Sequence, residues 1–233
     1  MSDTSSIFYT ALQLILKLEP ELVEIVLLSL KVSISAVIIA TLISIPLGTA
    51  LGAYVFRGRD FITGVLNALM GLPPVVVGLA LYILLSRSGP LGNLELLFTS
   101  SAMIIAQCIL ITPIISSLTQ QTVEDLFKQH DLQFKALGAP TKLTLIPLLK
   151  DAKTSLFTAI LAGFGRASAE VGAVLIVGGN INHVTRVMTT TIALETSKGN
   201  LELAMALGII LLAISFTITS LMIVVRKTQS VRA

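Results

Sequence analysis

The chain has 233 residues, 54% hydrophobic and only 12% charged, with a mean hydropathy of +0.92 and a formal net charge of +3. A soluble domain carries about twice that charged fraction, so the composition is that of an integral membrane protein, and five or six spanning helices leave no room for a soluble catalytic domain. The basic residues sit in short clusters between apolar runs, which marks them as topology signals and not as a nucleic-acid surface.

Residues 1–6 hold an aspartate and no Lys or Arg ahead of the first apolar residues, so no cleavable secretory signal is expected. The apolar part of residues 7–24 is about a dozen residues long before Pro20, too short to span, and predicts an interfacial helix within an external N-terminal segment, 1–24. The apolar, membrane-spanning region then runs over residues 25–225, with a basic tail at 226–233.

The first span is predicted over residues 25–54, with Lys31 near its start, able to snorkel, and Pro46, Gly48 and Gly52 near its end. Arg57, Gly58 and Arg59 make a basic turn, and the second span, 61–85, carries no charge. As one helix it would be about 37 Å long against a hydrocarbon core of about 30 Å, so it must tilt or bend. Pro73 and Pro74 fall at its middle. Either they kink an ordinary helix or they bend a segment that lines a pathway.

A third span is expected over residues 100–118, including Gln107, the lone Cys108, Thr112 and Pro113. One cysteine can form no intrachain disulfide. The longest polar interruption follows, residues 122–153, with Lys128, Lys135, Lys142, Lys150 and Lys153. Val123, Leu126, Phe127, His130, Phe134 and Leu137 recur at three- and four-residue spacing, which predicts a short amphipathic helix ended by Gly138 and Pro140. It either lies on its own bundle or docks another protein.

The fourth span, 154–178, holds Arg166 and Glu170, four residues apart and therefore on one face if the helix is continuous. Charges at that depth must face the bundle interior or a wet cavity. They either neutralise each other to fix packing or serve a pathway. Small residues at 159, 163, 165, 167, 169 and 173 would let helices approach closely, within one chain or across a two-fold axis. A polar loop over 179–200 and a charge-free fifth span, 203–225, complete the chain.

With the 122–153 stretch inside, the inner segments hold Arg57, Arg59, the five lysines, Arg226, Lys227 and Arg232, against Lys17, Arg87, Arg186 and Lys198 outside. That asymmetry predicts N-terminus out and C-terminus in. No G-x-x-x-x-G-K-[ST] loop, His-Glu-x-x-His or Cys-x-x-Cys occurs, and His130 and His183 fall on opposite sides, so neither a metal site nor a catalytic triad is expected. A transporter fuelled by ATP would have to borrow its ATPase, and an amphipathic cytoplasmic helix is what such borrowing requires.

Three runs resemble the membrane permeases of small ABC importers of the molybdate, tungstate and sulfate group. Leu28-Ser29-Leu30-Lys31-Val32-Ser33 and Gly71-Leu72-Pro73-Pro74-Val75-Val76-Val77-Gly78 are similar to oxyanion permeases generally. The stretch from Gly165-Arg166-Ala167-Ser168-Ala169-Glu170-Val171-Gly172-Ala173, through Val177-Gly178-Gly179-Asn180 and Val184-Thr185-Arg186-Val187-Met188-Thr189-Thr190, to Glu195-Thr196-Ser197-Lys198-Gly199 resembles the tungstate branch. The family's cytoplasmic signature is present in part. Leu137-Gly138-Ala139 matches its glycine portion, while Leu132, Gln133 and Phe134 replace its Glu-Ala-Ala triplet and Pro147 falls closer to Gly138 than usual.

The resemblance implies an all-α membrane protein of five, possibly six, spans with the small type I ABC importer permease fold, in the prokaryotic inner membrane. It implies a homodimer of this chain in lipid, two ABC ATPase subunits that bind the ATP, an external solute-binding protein, and no cofactor in this chain. ATPase coupling would fall on Asp131, Phe134, Lys135, Leu137, Gly138, Ala139, Pro140 and Thr141, and binding-protein contact on Arg87, Asn180, His183, Arg186 and Lys198. Beside it stands the reading from the residues themselves, that Arg166, Ser168 and Glu170, with Pro73 and Pro74, line or lock the translocation pathway. The solute implied is tungstate, with molybdate, sulfate or another small solute as alternatives. A secondary transporter or channel using the Arg166 and Glu170 pair is the competing class, opposed by the lack of an inverted repeat.

Overall fold

A computed structural model describes residues 4–136 and 141–230. Among them the chain forms ten α-helices and no strand. They are α1 (Thr4–Leu16), α2 (Pro20–Ala53), α3 (Arg59–Leu69), α4 (Pro74–Leu85), α5 (Ser100–Ala136), α6 (Thr141–Asp151), α7 (Lys153–Ser168), α8 (Gly172–Gly178), α9 (Met188–Lys198) and α10 (Leu201–Ser230). Three helices are long and apolar enough to cross a membrane, and five spans result if the bent pairs α3 with α4 and α7 with α8 each count as one. In α5, 61% of the apolar window is buried, against 17% in α10. Other elements therefore pack around α5, while α10 shows Leu212, Phe216, Ile223 and Val224 outward.

Four expectations are corrected. The second span is not a kinked helix: α3 ends at Leu69 and a new helix starts at Pro74, which occupies its first turn. Proline suits that position because its missing N–H has no intrahelical partner there and its φ is already helical. The third span and the amphipathic helix are one element, the 37-residue α5. No glycine or proline interrupts the sequence between Pro113 and Gly138, so the polar pattern simply extends the apolar helix.

The fourth span breaks after Ser168 and resumes at Gly172, so Arg166 and Glu170 do not ride on one continuous helical face. Finally, the 179–200 loop contains α9, whose Met188, Thr190, Thr191 and Glu195 are buried. Residues 137–140 lie outside the described residues, and with them the predicted helix stop at Gly138 and Pro140.

The contacts form two compact units. The first comprises residues 1–36, 73–107 and 167–220. In it Ala11, Leu22, Ile25, Met188, Ala206 and Leu207 make one buried cluster, which explains why the short α1 is anchored. Here α4 and α8 approach backbone to backbone: a Cβ on Gly78 would lie 2.8 Å from the Ala173 Cα. The second unit comprises residues 37–72, 108–166 and 221–233. In it α2 lies close on α5, where a Cβ on Gly48 would meet the Ser116 carbonyl at 2.5 Å and one on Gly52 the Gln120 carbonyl at 2.7 Å. Two glycines four residues apart give α2 a flat stripe, the small-x-x-x-small arrangement that lets membrane helices pack closely.

Candidate functional site: the break in the fourth span

A helix that breaks in lipid frees carbonyls and N–H groups that side chains must satisfy. Here they do so from several directions. The Ala167 carbonyl accepts the Gln107 side-chain amide from α5 at 3.0 Å, as well as the Glu170 N–H at 3.2 Å. Glu170, only 3% exposed, turns its carboxylate onto the restarting helix and accepts the Ala173 N–H at 3.1 Å. That is the bond a helix-capping side chain makes. The Glu170 carbonyl in turn accepts the Thr189 hydroxyl at 2.8 Å, and the next N–H along α9's start, that of Met188, donates to Ser29 on α2 at 2.7 Å. The Ser29 hydroxyl itself donates to the Ile25 carbonyl at 2.6 Å. The break is thus held by α5, α9 and α2.

Of the residues expected to line or lock a pathway, Ser168 and Glu170 stand at this break. Arg166 lies in the last turn of α7 and is partly exposed. Pro73 is exposed and Pro74 half-buried at the start of α4. The sequence reading gave no role to Gln107, Ser29 or Thr189. Gln107 carried a usable signal, since a lone amide within an apolar span must find hydrogen-bond partners.

The residues expected to contact a binding protein divide by exposure. Arg87 and His183 are exposed, and His183 pairs with Glu24 at 2.8 Å. Arg186 pairs with Glu21 at 3.1 Å and keeps only 14% of its side chain exposed. Asn180 is tied to α9, accepting the Thr190 hydroxyl at 2.9 Å. The turn that carries Asn180 and His183 places both in the left-handed region, with φ 50° and 59°. Glu21 and Glu24, at the start of α2, were not foreseen as its partners.

Lys198 bonds Glu195 at 2.9 Å, and the Asn200 amide donates to the same carboxylate at 2.9 Å. Glu195 keeps 8% of its side chain exposed, and α9 is not among the helices long enough to span. The Lys198 bond is the main cause holding its carboxyl below the ordinary carboxylate value, with the Asn200 bond second and burial opposing both. A depressed folded pKa contributes stability above the unfolded value, about 4.3, that is lost as pH falls through the folded one. Glu195→Gln is therefore expected to cost about 1 kcal/mol near neutral pH, with the gap from wild type closing as the pH drops below about 4. Thermal unfolding of the two proteins across that range checks it; a gap independent of pH would remove the charge from the account.

In the second unit, Arg59 at the start of α3 donates to the Leu51 carbonyl at 2.6 Å and to Glu124 on α5. Gln120 and Lys128 reach the same carboxylate. Among the coupling candidates, Asp131, Phe134 and Lys135 lie in the last turns of α5 and Thr141 opens α6. Leu137, Gly138, Ala139 and Pro140 fall outside the described residues.

Bent apolar spans, with a polar clamp on the break in the fourth, mark an all-helical membrane protein. Residues 44–229 match the family described as binding-protein-dependent transport system inner membrane component, and the chain belongs to that family. It is 43% identical over 213 residues to the tungstate uptake system permease protein TupB of Peptoclostridium acidaminophilum, covering 91% of this chain and 93% of that one. It is 43% identical over 206 residues to a probable anion ABC transporter permease protein of Haloferax volcanii, covering 86% and 88%. To the tungstate uptake system permease protein TupB of Campylobacter jejuni it is 40% identical over 162 residues, covering 69% and 67%. Sulfate and molybdenum permeases match more weakly, at 24–29% identity. The chain is accordingly a transport component of the inner membrane with the type I ABC permease fold.

Proposed function

We propose that this chain is the membrane-spanning subunit of an ATP-driven tungstate importer. The carrying observation is the 43% identity to a tungstate permease over 91% of the chain, well above the 24–29% to sulfate and molybdenum permeases. Two copies would form the pathway, two separate ATPase subunits would bind and hydrolyse ATP on the cytoplasmic side, and an external binding protein would deliver the anion. With the N-terminus outside, the segment from Asp131 to Thr141 meets the ATPase, and the exposed Arg87, His183 and Lys198 face the delivering protein. Asn180 and Arg186 hold that outer surface in shape through their internal bonds.

Alternating access then needs an element that is rigid in each state yet remade between states. The break at 169–171 would be that element, with Arg166, Ser168 and Glu170 on or beside it and Pro73 and Pro74 at the other break. Hydroxyls and amides with few net charges suit passage, because a strongly cationic site would retain the anion.

The test is uptake into vesicles holding this chain with its ATPase and binding protein. Tungstate accumulation is expected to require ATP and the binding protein, and to be competed more weakly by molybdate and least by sulfate. Transport of sulfate or molybdate without tungstate would reassign the solute. Uptake driven by an ion gradient in the absence of ATP would favour a secondary transporter.

A further inference from the structure

Arg59 is the first residue of α3, and its guanidinium reaches two other helices of the second unit. Its Nε donates to the Leu51 carbonyl, in the last turn of α2, at 2.6 Å, and its Nη2 donates to Glu124 on α5. The fork of donors on a guanidinium lets one side chain clasp all three. Glu124 also accepts Gln120 and Lys128, both from its own helix, so α5 itself fixes where that carboxylate stands. Little else holds the start of α3. The turn before it is open: Val55 is 94% exposed, and Gly58, at φ 93°, has nothing within 4 Å of a Cβ built on it. Of the eleven residues of α3 only Leu66 is buried within this chain. The clasp is partly exposed, with 18% of the Arg59 side chain and 26% of that of Glu124 open, and ion pairs in such places add little to stability. What it supplies is placement, because it sets where α3 begins relative to α2 and α5.

We propose that Arg59 and Glu124 are positioning residues for transport, the link by which the polar end of α5 carries α3 with it. This rests on the importer reading, in which the segment from Asp131 meets an ATPase. Asp131 follows Glu124 by seven residues, about 10 Å of helix with no glycine or proline, so a shift of α5 at Asp131 is also a shift at Glu124. From there it reaches the first turn of α3 through a single charge-assisted hydrogen bond. The open turn at 54–58 lets α3 follow, and α3 is the first half of the bent second span. Lys128 provides a contrast on the same carboxylate. It bonds Glu124 at 2.9 Å from within α5 and so joins no second helix.

The experiment measures tungstate taken up per ATP hydrolysed, in vesicles holding this chain with its ATPase and binding protein. Wild type is compared with Arg59→Gln, Glu124→Ala, the double variant and Lys128→Ala. Arg59→Gln and Glu124→Ala are each expected to lower the ratio about fivefold while ATP hydrolysis and protein abundance stay near wild type. The double variant is expected to be no worse than the lower single one, since both remove the same link. Lys128→Ala is expected to leave the ratio unchanged. A merely structural pair would lower uptake and hydrolysis together, in step with abundance, and that result overturns the proposal. So does a wild-type ratio in either single variant, an equal fall in Lys128→Ala, or a double variant in which the two losses multiply. Should one single variant fail to accumulate, the other decides alone; failure of both assigns the pair to folding and overturns the proposal as well. Wild-type uptake that needs no ATP would instead sink the importer reading, before any variant is compared.

Discussion

A leucine at Gly48 is expected to remove most of this protein from the membrane. The α-hydrogen of that glycine faces the α5 backbone, and even one added carbon would stand 2.5 Å from the Ser116 carbonyl and 2.6 Å from the Thr119 Cβ. A flexible side chain could step aside, but a helical carbonyl cannot move without disturbing its own ladder. Overpacking of a close interface costs about 1–3 kcal/mol where neighbours can adjust, and more where the neighbour is backbone. The same stripe continues at Gly52 against Gln120, so separating the helices at one point opens the other. Gly64 on α3 supplies the control, since nothing lies within 4 Å of a Cβ built there and Gly64→Leu should accumulate normally. Quantifying folded protein in detergent extracts of the three strains checks this; a Gly48→Leu variant as abundant as wild type would mean that α2 and α5 are not packed as described.

Glu170→Ala is expected to abolish most uptake, while Glu170→Gln retains a large share of it. Alanine removes the acceptor of the Ala173 N–H and leaves α8 uncapped in a buried place, a loss of about 1–2 kcal/mol. Glutamine keeps an oxygen at the Oε1 position, so the geometry of the break survives without the charge. Uptake measured beside protein abundance separates the two effects. Equal loss in both variants, at normal abundance, would show that the negative charge and not the cap is what transport needs.

These expectations show how far the sequence could be read. Hydropathy located every apolar segment, because the cost of burying charge in lipid is written residue by residue. The breaks were harder. Pro73 and Pro74 signalled an interruption, but a kink and a restart look alike until it is known whether Pro74 occupies a first turn. Nothing helix-breaking stands at 169–171, only Gly172 just after, and that break is stabilised by Gln107 and Thr189, which are distant in sequence. Pairings such as Arg186 with Glu21 were illegible for the same reason, since both partners read separately as polar surface. The clamp on Ala167 and Glu170 is a property of tertiary placement, and only its chemistry, an amide stranded in an apolar run, was visible beforehand.

The unbroken course of α5 has a mechanical consequence. From Gln107 to Asp131 the helix runs about 36 Å, at about 1.5 Å per residue, with Pro113 as its one internal proline. A helix of that length barely shortens under load, so displacement of either end shows as tilt, rotation or bending at Pro113 and is not absorbed as slack. Gln107 grips the Ala167 carbonyl, so any turning of α5 at that residue reaches the end of α7 without a relay of intermediate side chains.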